Sequence, residues 1–344
     1  MARLFVRHDA AAQARYQEVK QLARTQRRVL QGTPGTVKRR SRRGTDYWVR
    51  EYVRVDGRKD DEHVGTVAAV GERIAALRDE VALARALAAG SSTLRLLGYQ
   101  RIERKPAAVL AAFFNRGLFA SGLGVVGSHA YGALLNDLGI SAGGYRTQDL
   151  DLARSQPLSL ASAGALDLEE VLAESELDFV PVPGMPSGRP SAVYKLRGAE
   201  ALAVDLLVPG EVLGKIVAVR ELGTYGQAVP YLDFLLDGAL ESVVLSPNQV
   251  VPIAVPSPQR LALHKLYSSQ RRGSQQEKSR KDLHQAAVLV AALEEDTPGL
   301  LGDALRRIPT AARATVRRGA RAALRLLGEN HAEGKALLER MAGK

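Results

Sequence analysis

The chain has no cysteine, one tryptophan and three methionines among its 344 residues. Without cysteine it can form neither a disulfide nor a thiolate metal site, and it has no cysteine nucleophile. It has no apolar run of about 18 residues or more, so the sequence predicts no membrane span. Residues 1–20 carry charges throughout and lack the apolar segment of a secretory signal. We therefore expect a cytoplasmic protein, in a reducing compartment.

Positive charge is concentrated at the two ends of the chain. The formal net charge is +11, with +10 in residues 1–45 and +6 in residues 301–344, so the part between them is acidic. Basic ends around an acidic centre are typical of a protein that holds a polyanion by its backbone. Solvated, arginine-rich helices would give the same composition. The most basic run, residues 38–43, is predicted to be a loop.

Hydrophobic periodicity predicts an α+β protein with three units. Residues 1–100 read as a basic N-terminal extension, a helix followed by a β-hairpin whose turn is Asp56-Gly57. Residues 101–256 alternate short strands with helices, which predicts a small mixed or antiparallel sheet. Residues 257–344 have helical spacing and predict a C-terminal helical bundle.

A turn of small residues follows a short apolar strand at residues 123–126. Gly127 and Ser128 form this turn and precede a predicted helix, with Gly132 one turn later. Small residues at such a junction let backbone N–H groups approach a phosphate, and the helix dipole favours the anion. An ordinary tight turn with Ser128 as the helix N-cap would use the same residues.

Two aspartates in the next apolar strand are separated by a single residue. Asp149 and Asp151 should point to the same face of that strand, while Leu150 points to the other. Two carboxylates on one face can bracket a pair of divalent cations about 3.5–4 Å apart. Oxygen ligands of this kind suit Mg²⁺. The alternative is an exposed strand edge with two solvated aspartates, although Asp is disfavoured in strands.

A third aspartate, Asp205, lies in the apolar segment at residues 203–208. A single charge in an apolar strand needs a partner or a metal ion if it is buried. Beside the first two carboxylates, it would complete a two-metal site and help to activate an attacking hydroxyl. The alternative is a buried ion pair with Arg197 or Arg220.

Together these residues resemble the nucleotidyltransferase superfamily related to DNA polymerase beta. The shared pattern is Gly-Ser-x-x-x-Gly, then Thr-x-Asp-x-Asp, then an aspartate in a strand, and here it comprises Gly127, Ser128, Gly132, Thr147, Asp149, Asp151 and Asp205. The resemblance covers about residues 120–210. It implies the superfamily's fold and a catalytic set of Asp149, Asp151 and Asp205. It also implies two Mg²⁺ ions, or Mn²⁺, as cofactors, and nucleotide binding at Gly127 and Ser128.

The chain departs from this superfamily in one spacing. Twenty residues separate Ser128 from Asp149, more than is usual, and the excess is a glycine-rich segment at residues 139–146, predicted to be a loop. We expect this segment to change the way in which a nucleotide enters the site, and we expect the metal ligands to be the same as in the superfamily. The hairpin that precedes the core resembles that of a bacterial group of nucleotidyltransferase-fold proteins.

The helical C-terminal part carries a second resemblance. Three segments, residues 261–266, then Arg271 and Arg272, then Arg280 to Leu283, resemble the abortive-infection type of nucleotidyltransferase toxin, in which a helix Lys and a later Arg/Lys-Asp pair face the active site. The resemblance implies that Lys265 holds the triphosphate, that Asp282 fixes a neighbouring cation or the nucleotide, and that an antitoxin protein is a partner. An ammonium group on a rigid helix is a good phosphate clamp. Surface charge on amphipathic helices is the alternative, and His264 is predicted to be a surface or capping residue.

The predicted function is metal-dependent transfer of an NMP from an NTP to an acceptor hydroxyl, on RNA such as tRNA, by a bacterial protein that acts as a toxin. Tyr47, Trp48 and Tyr52 follow the basic run and either stack on a base or pack within the hairpin. Two alternatives remain open. In the first, the enzyme transfers the NMP to a protein or a small molecule. In the second, the chain is a non-catalytic nucleotide-binding module.

Overall fold

The computed structural model describes residues 3–143, 147–159, 166–184, 190–198 and 202–343. Of the predicted glycine-rich loop at residues 139–146, residues 144–146 lie outside the described residues. In the described part, no helix combines the length and the apolar character needed to cross a membrane.

The described residues form eleven α-helices and fourteen β-strands. The helices are α1 (Ala10–Arg24), α2 (Gly71–Leu96), α3 (Arg104–Asn115), α4 (Gly127–Asp137), α5 (Leu168–Ala173), α6 (Leu232–Leu236), α7 (Pro258–Ser269), α8 (Gln276–Asp296), α9 (Leu300–Arg306), α10 (Thr310–Ala323) and α11 (Ala332–Ala342). The strands are β1 (Phe5–Arg7), β2 (Thr36–Arg42), β3 (Thr45–Val53), β4 (Lys59–Thr66), β5 (Leu123–Val125), β6 (Ile140–Ala142), β7 (Asp149–Arg154), β8 (Phe179–Pro181), β9 (Val193–Leu196), β10 (Ala203–Pro209), β11 (Ile216–Val219), β12 (Thr224–Val229), β13 (Leu240–Leu245) and β14 (Val250–Val255).

A mixed sheet of seven strands lies at the centre of the fold. Strand β10 pairs in parallel with β7 and β12 and antiparallel with β9. Antiparallel pairs add β5 to β7, β11 to β12 and β8 to β9. The predicted α+β class, with its mixed sheet, N-terminal helix and hairpin, and C-terminal helices, is confirmed. The division at residues 100 and 256 stays a prediction.

The basic run at residues 38–43 is not the predicted loop. Residues up to Arg42 belong to β2, which pairs with β3 in a three-stranded antiparallel sheet. Lys38 and Arg40 both form ion pairs with Glu51 on the neighbouring strand, and Arg39 pairs with Asp46. Cross-strand pairs of opposite charge stabilise such a strand. These three cations are therefore neutralised within the sheet.

The described part of the glycine-rich segment also contains a strand where a loop was predicted. Strand β6 pairs antiparallel with β1, a strand that the sequence did not predict. Phe5 and Ile140 are both buried, so the pair covers the core with its apolar side chains. Strands of three residues are too short for the alternation of apolar and polar residues to reveal them.

The C-terminal helices are fixed against the central sheet. Side chains of β7, β10, α7 and α8 belong to one continuous hydrophobic cluster. Helix α10 crosses α7 closely at Gly319, where a Cβ atom would lie 2.2 Å from the Leu266 carbonyl oxygen. This packing holds the polar face of α7 and α8 opposite the strands that carry the aspartates.

Candidate active site

The three predicted catalytic aspartates share one face of the central sheet. Asp151 of β7 is in register with Asp205 of β10, and Asp149 stands two residues before Asp151. Registered residues of paired strands, and residues two apart on one strand, point to the same side. Leu150 and Leu152 face the opposite side and are fully buried. All three aspartates line one cavity of about 460 Å³.

The alternative ion pair for Asp205 is absent. Arg197 pairs with Asp178 instead, and in the part of the chain that the structure describes no cation forms an ion pair with Asp205. Burial, and then the charges of Asp151 and Asp149, raise the pKa of Asp205 to about 7. The three carboxylates therefore lie close together, and the nearby lysines do not offset the effect of burial and of mutual repulsion on the pKa of Asp205.

These carboxylates fit a divalent cation by their chemistry. Burial is also the main influence that raises the pKa of Asp151, and the charge of Asp149 adds to it. A bound cation would reverse this effect on both groups. Hard oxygen ligands match Mg²⁺ and Mn²⁺. Within the described ranges, however, no group of three or more His, Cys, Asp or Glu side chains is arranged so that it could hold a metal ion.

The predicted small-residue turn lies directly against these aspartates. Gly127 has φ +67°, and a Cβ atom there would lie 2.0 Å from Oδ2 of Asp151. Glycine is therefore required both by the backbone conformation and by the carboxylate beside it. Helix α4 begins at Gly127 with Val126 as its N-cap and no side-chain cap, so Ser128 does not act as the N-cap. Its first N–H groups are left for another acceptor, such as a phosphate.

Lys265 and Asp282 form a buried ion pair across α7 and α8. The Lys265 Nζ lies 2.7 Å from Oδ1 of Asp282, whereas Ser268 Oγ and Arg272 Nε donate to Oδ2 at 3.0 Å. Only 5% of Lys265 and 2% of Asp282 are exposed, so they are not surface charges. Burial acts to raise the pKa of Asp282, but the positive charges of Lys265 and Arg272 outweigh it and the pKa is lowered. Asp282 therefore holds two cationic side chains at the cavity wall.

Further cations line the same wall, namely Arg271, Arg272, Lys278 and Lys281. Arg271, Arg272 and Lys281 belong to the segments that carry the second resemblance, although no separate role was predicted for them, and Lys278 was not singled out at all. On α8, Lys278 stands four residues before Asp282 and three before Lys281, and residues three and four apart share one helical face. Arg272 lies beyond the end of α7. Helical spacing was therefore an available signal for Lys278. The cavity thus has an acidic side on the sheet and a basic side on the helices.

The rest of the cavity is mostly apolar. Leu207, Leu213, Val229, Leu232 and Tyr267 line it. His264 also lines it and is only partly exposed, so it is not the predicted surface residue. Burial lowers the pKa of its imidazole to about 4. A volume of about 460 Å³ with apolar walls and a few charged groups is typical of a small-molecule site.

The aromatic residues of the hairpin pack within the protein. Tyr52 is buried, its hydroxyl bonds Glu176 and its ring contacts the Arg50 guanidinium. Trp48 contacts Arg78, and Tyr47 stacks obliquely on His63. None of the three aromatic residues lines the cavity of the aspartates. These contacts favour the packing interpretation over base stacking.

A family model of nucleotidyltransferases matches residues 104–309, more than half of the chain. The match begins at the first residue of α3 and ends just after α9. It includes all seven residues predicted to act in catalysis or nucleotide binding, which are Gly127, Ser128, Asp149, Asp151, Asp205, Lys265 and Asp282. The chain therefore belongs to this nucleotidyltransferase family and is a transferase with a nucleotide substrate. No curated protein matches the chain.

Proposed function

We propose that this protein is a metal-dependent nucleotidyltransferase that moves an NMP from an NTP to an acceptor hydroxyl on RNA such as tRNA. One observation carries the proposal. Asp149, Asp151 and Asp205 face Lys265 and its neighbouring cations across a single cavity of nucleotide size. A nucleoside triphosphate with divalent cations needs this combination of carboxylates and cations.

The triphosphate would bind along the basic side of the cavity. The N-terminus of α4 at Gly127 and Ser128 offers N–H donors, and Lys265 offers an ammonium group fixed by Asp282. Arg272 is fixed by the same carboxylate. In this assignment Asp282 is a positioning residue, which acts through two cations. The apolar residues of the cavity would enclose the base and the ribose.

Asp149, Asp151 and Asp205 would hold two Mg²⁺ ions, or Mn²⁺. Bound there, the ions would supply positive charge at the α-phosphate and at the pyrophosphate leaving group. The acceptor hydroxyl oxygen forms a bond to the α-phosphorus, and the bond from that phosphorus to the bridging oxygen of the β-phosphate breaks. Pyrophosphate leaves with that bond's electron pair, and the hydroxyl proton passes to a carboxylate, which we assign to Asp205.

An RNA acceptor is supported by the charge of the chain. Its net charge is +11, and Arg317 and Arg325 of the C-terminal region are exposed. RNA binding through phosphates needs such cations. We propose that the reaction takes place in the cytoplasm, and that the protein acts there as a toxin with an antitoxin partner. The toxin role rests on the resemblance of residues 261–266, 271–272 and 280–283 to the abortive-infection toxins.

The test is to incubate the protein with each labelled NTP in turn, together with total bacterial RNA and total protein, and to separate the two fractions. We expect Mg²⁺-dependent label in RNA of tRNA size. An Asp149→Asn variant is the control and should leave every fraction unlabelled. Label in the protein fraction alone would assign a protein acceptor, and label in a small molecule would assign that class. No label from any NTP, with nucleotide binding intact, would favour a non-catalytic binding module.

A further inference from the structure

A second and larger cavity adjoins the candidate active site. Its volume is about 990 Å³, and it shares Ser128 and Thr147 with the cavity of the aspartates. The two cavities therefore meet at the first turn of α4, beside the position proposed for the phosphates. A molecule bound in the larger cavity would therefore lie next to the nucleotide site.

The larger cavity is positively charged. Arg101, Arg104 and Lys105 line it, and Glu103 is the one carboxylate among its described lining residues. Burial, and then the charges of Arg95 and Arg104, lower the pKa of Arg101, although Glu103 acts in the opposite direction. Positive charges thus crowd at this rim, where an anion would relieve their repulsion.

His129 lies where the two cavities meet, one residue after Ser128. It lines the larger cavity and is 6% exposed, and its Nε2 has no hydrogen-bond partner in the described part of the chain. Burial lowers the pKa of this imidazole to about 4, so it is neutral at pH 7. A buried ring nitrogen without a partner is costly unless a ligand supplies one. A ribose hydroxyl can donate to such a nitrogen or accept from it.

The basic run of the N-terminal sheet is a weaker candidate for the same role. Lys38, Arg39 and Arg40 already pair with carboxylates of their own sheet. They also line neither of the two cavities. The charge that the sequence places at residues 38–43 therefore does not lead to the active site, whereas Arg101 and Arg104 do.

We propose that the larger cavity is the acceptor site and that it holds the end of an RNA strand, with phosphates on Arg101 and Arg104 and the terminal ribose at His129. This inference rests on the proposed nucleotidyl transfer to RNA, and it adds the place where the acceptor binds and the part of the strand that enters the site. The end of an RNA strand fits this cavity better than a protein does. Arg101 and Arg104 offer cations to successive backbone phosphates, and the His129 imidazole offers a polar group to a ribose hydroxyl.

The test compares two charge reversals of equal size. The Arg101→Glu/Arg104→Glu variant alters the larger cavity, and the Arg42→Glu/Arg43→Glu variant alters exposed arginines at the end of β2. Binding of 5′-labelled bulk tRNA is measured at several salt concentrations. The first variant should bind at least about tenfold more weakly, and the slope of log K against log salt should become shallower by about 2. The second should bind with nearly the wild-type affinity and slope.

Binding of a non-hydrolysable NTP analogue is measured in all three proteins without RNA. It should be equal, because neither pair of arginines lines the nucleotide cavity, and equality also shows that the variants fold. A milder Arg101→Gln/Arg104→Gln variant should shift tRNA binding in the same direction. Equal tRNA binding by the wild-type protein and the Arg101/Arg104 variants would overturn the inference, and so would absent tRNA binding by a wild-type protein that binds the analogue. Failure of the wild-type protein to bind the analogue would instead overturn the proposed function.

Discussion

The Asp151 carboxylate lies directly against the backbone of Gly127. A Cβ atom on Gly127 would be 2.0 Å from Oδ2 of Asp151, closer than any side chain could stand. The Val126 N–H also donates to the Asp151 carbonyl at 2.9 Å. The N-terminus of α4 and strand β7 are therefore fixed to each other. In the proposed function this contact sets the distance between the phosphates and the metal ligands.

Substitution Gly127→Ala should abolish transfer by displacing the Asp151 carboxylate. The positive φ alone should cost about 1–2 kcal/mol of stability. A displacement of about 1 Å at a reacting centre can cost about a hundredfold in rate, so we expect at least that loss in kcat. The measurement is NMP transfer at saturating NTP, together with the free energy of unfolding.

Gly117 provides the matched control for that substitution. Its φ is +69°, and nothing lies within 4 Å of the position of its Cβ atom. Gly117→Ala should therefore cost a similar amount of stability and leave transfer unchanged. Equal losses of kcat in both variants would show that backbone strain, and not the contact with Asp151, causes the defect.

The buried pair of Lys265 and Asp282 should contribute differently to stability and to nucleotide binding. Asp282→Ala leaves the buried Lys265 ammonium unpaired and should cost about 3–5 kcal/mol of unfolding free energy. The double variant Lys265→Met/Asp282→Leu should recover part of that loss, because it removes both charges. Neither variant should bind NTP with wild-type affinity. A stable double variant with normal NTP affinity would show that the pair is structural.

The stability of the metal-free protein should depend on the pKa of Asp205. Its folded value of about 7 is above its usual 3.8, so the folded state binds the proton more tightly than the unfolded state. Stability should therefore fall as the pH rises from about 4 to about 7 and then level off. An Asp205→Asn variant should show a smaller fall, measured as Tm. Mg²⁺ should raise Tm more at pH 8 than at pH 5, since protonated carboxylates bind it poorly. If Tm depended on pH in the same way in the wild-type protein and in Asp205→Asn, Asp205 would not be the group that causes the fall in stability.

The toxin interpretation makes a prediction in living cells. Induced expression of the wild-type protein in a bacterium should arrest growth, because transfer of an NMP to tRNA would block its use in translation. Asp149→Asn should restore growth at equal protein levels, checked by immunoblot. Arrest by both proteins would mean that toxicity does not arise from transfer, and growth with both would remove the toxin interpretation while leaving the enzyme assignment intact.

The aspartates were the part of the site that local rules could predict. Side chains alternate between the two faces of a strand, which places Asp149 and Asp151 on the same face. Asp205 is an isolated charge in an apolar strand, which marks it as a candidate. All seven predicted site residues line one cavity, and their catalytic and binding roles stay predictions. Lys278 of α8 was not singled out, because a lysine at a cavity wall and a lysine in solvent have the same helical pattern in sequence.

The elements that the sequence missed depend on contacts between distant residues. Strand β2 forms by backbone pairing with β3, where Lys38 and Arg40 meet Glu51, and the basic run itself contains no sign of that partner strand. Strands β1 and β6 pair across more than a hundred residues of chain and have three residues each. The neighbouring cavities, which meet at Ser128, likewise follow from tertiary packing alone.

The most direct measurement is Mg²⁺-dependent release of pyrophosphate from an NTP in the presence of total tRNA, compared between the wild-type protein and Asp149→Asn. Asp149 contributes one of the three carboxylates and is not part of the hydrophobic core, so the variant should fold and be soluble to the same extent. We expect release by the wild-type protein, loss of release on chelation, and a rate in the variant lower by at least about a hundredfold. Release at the wild-type rate by the variant would contradict the catalytic assignment of these aspartates.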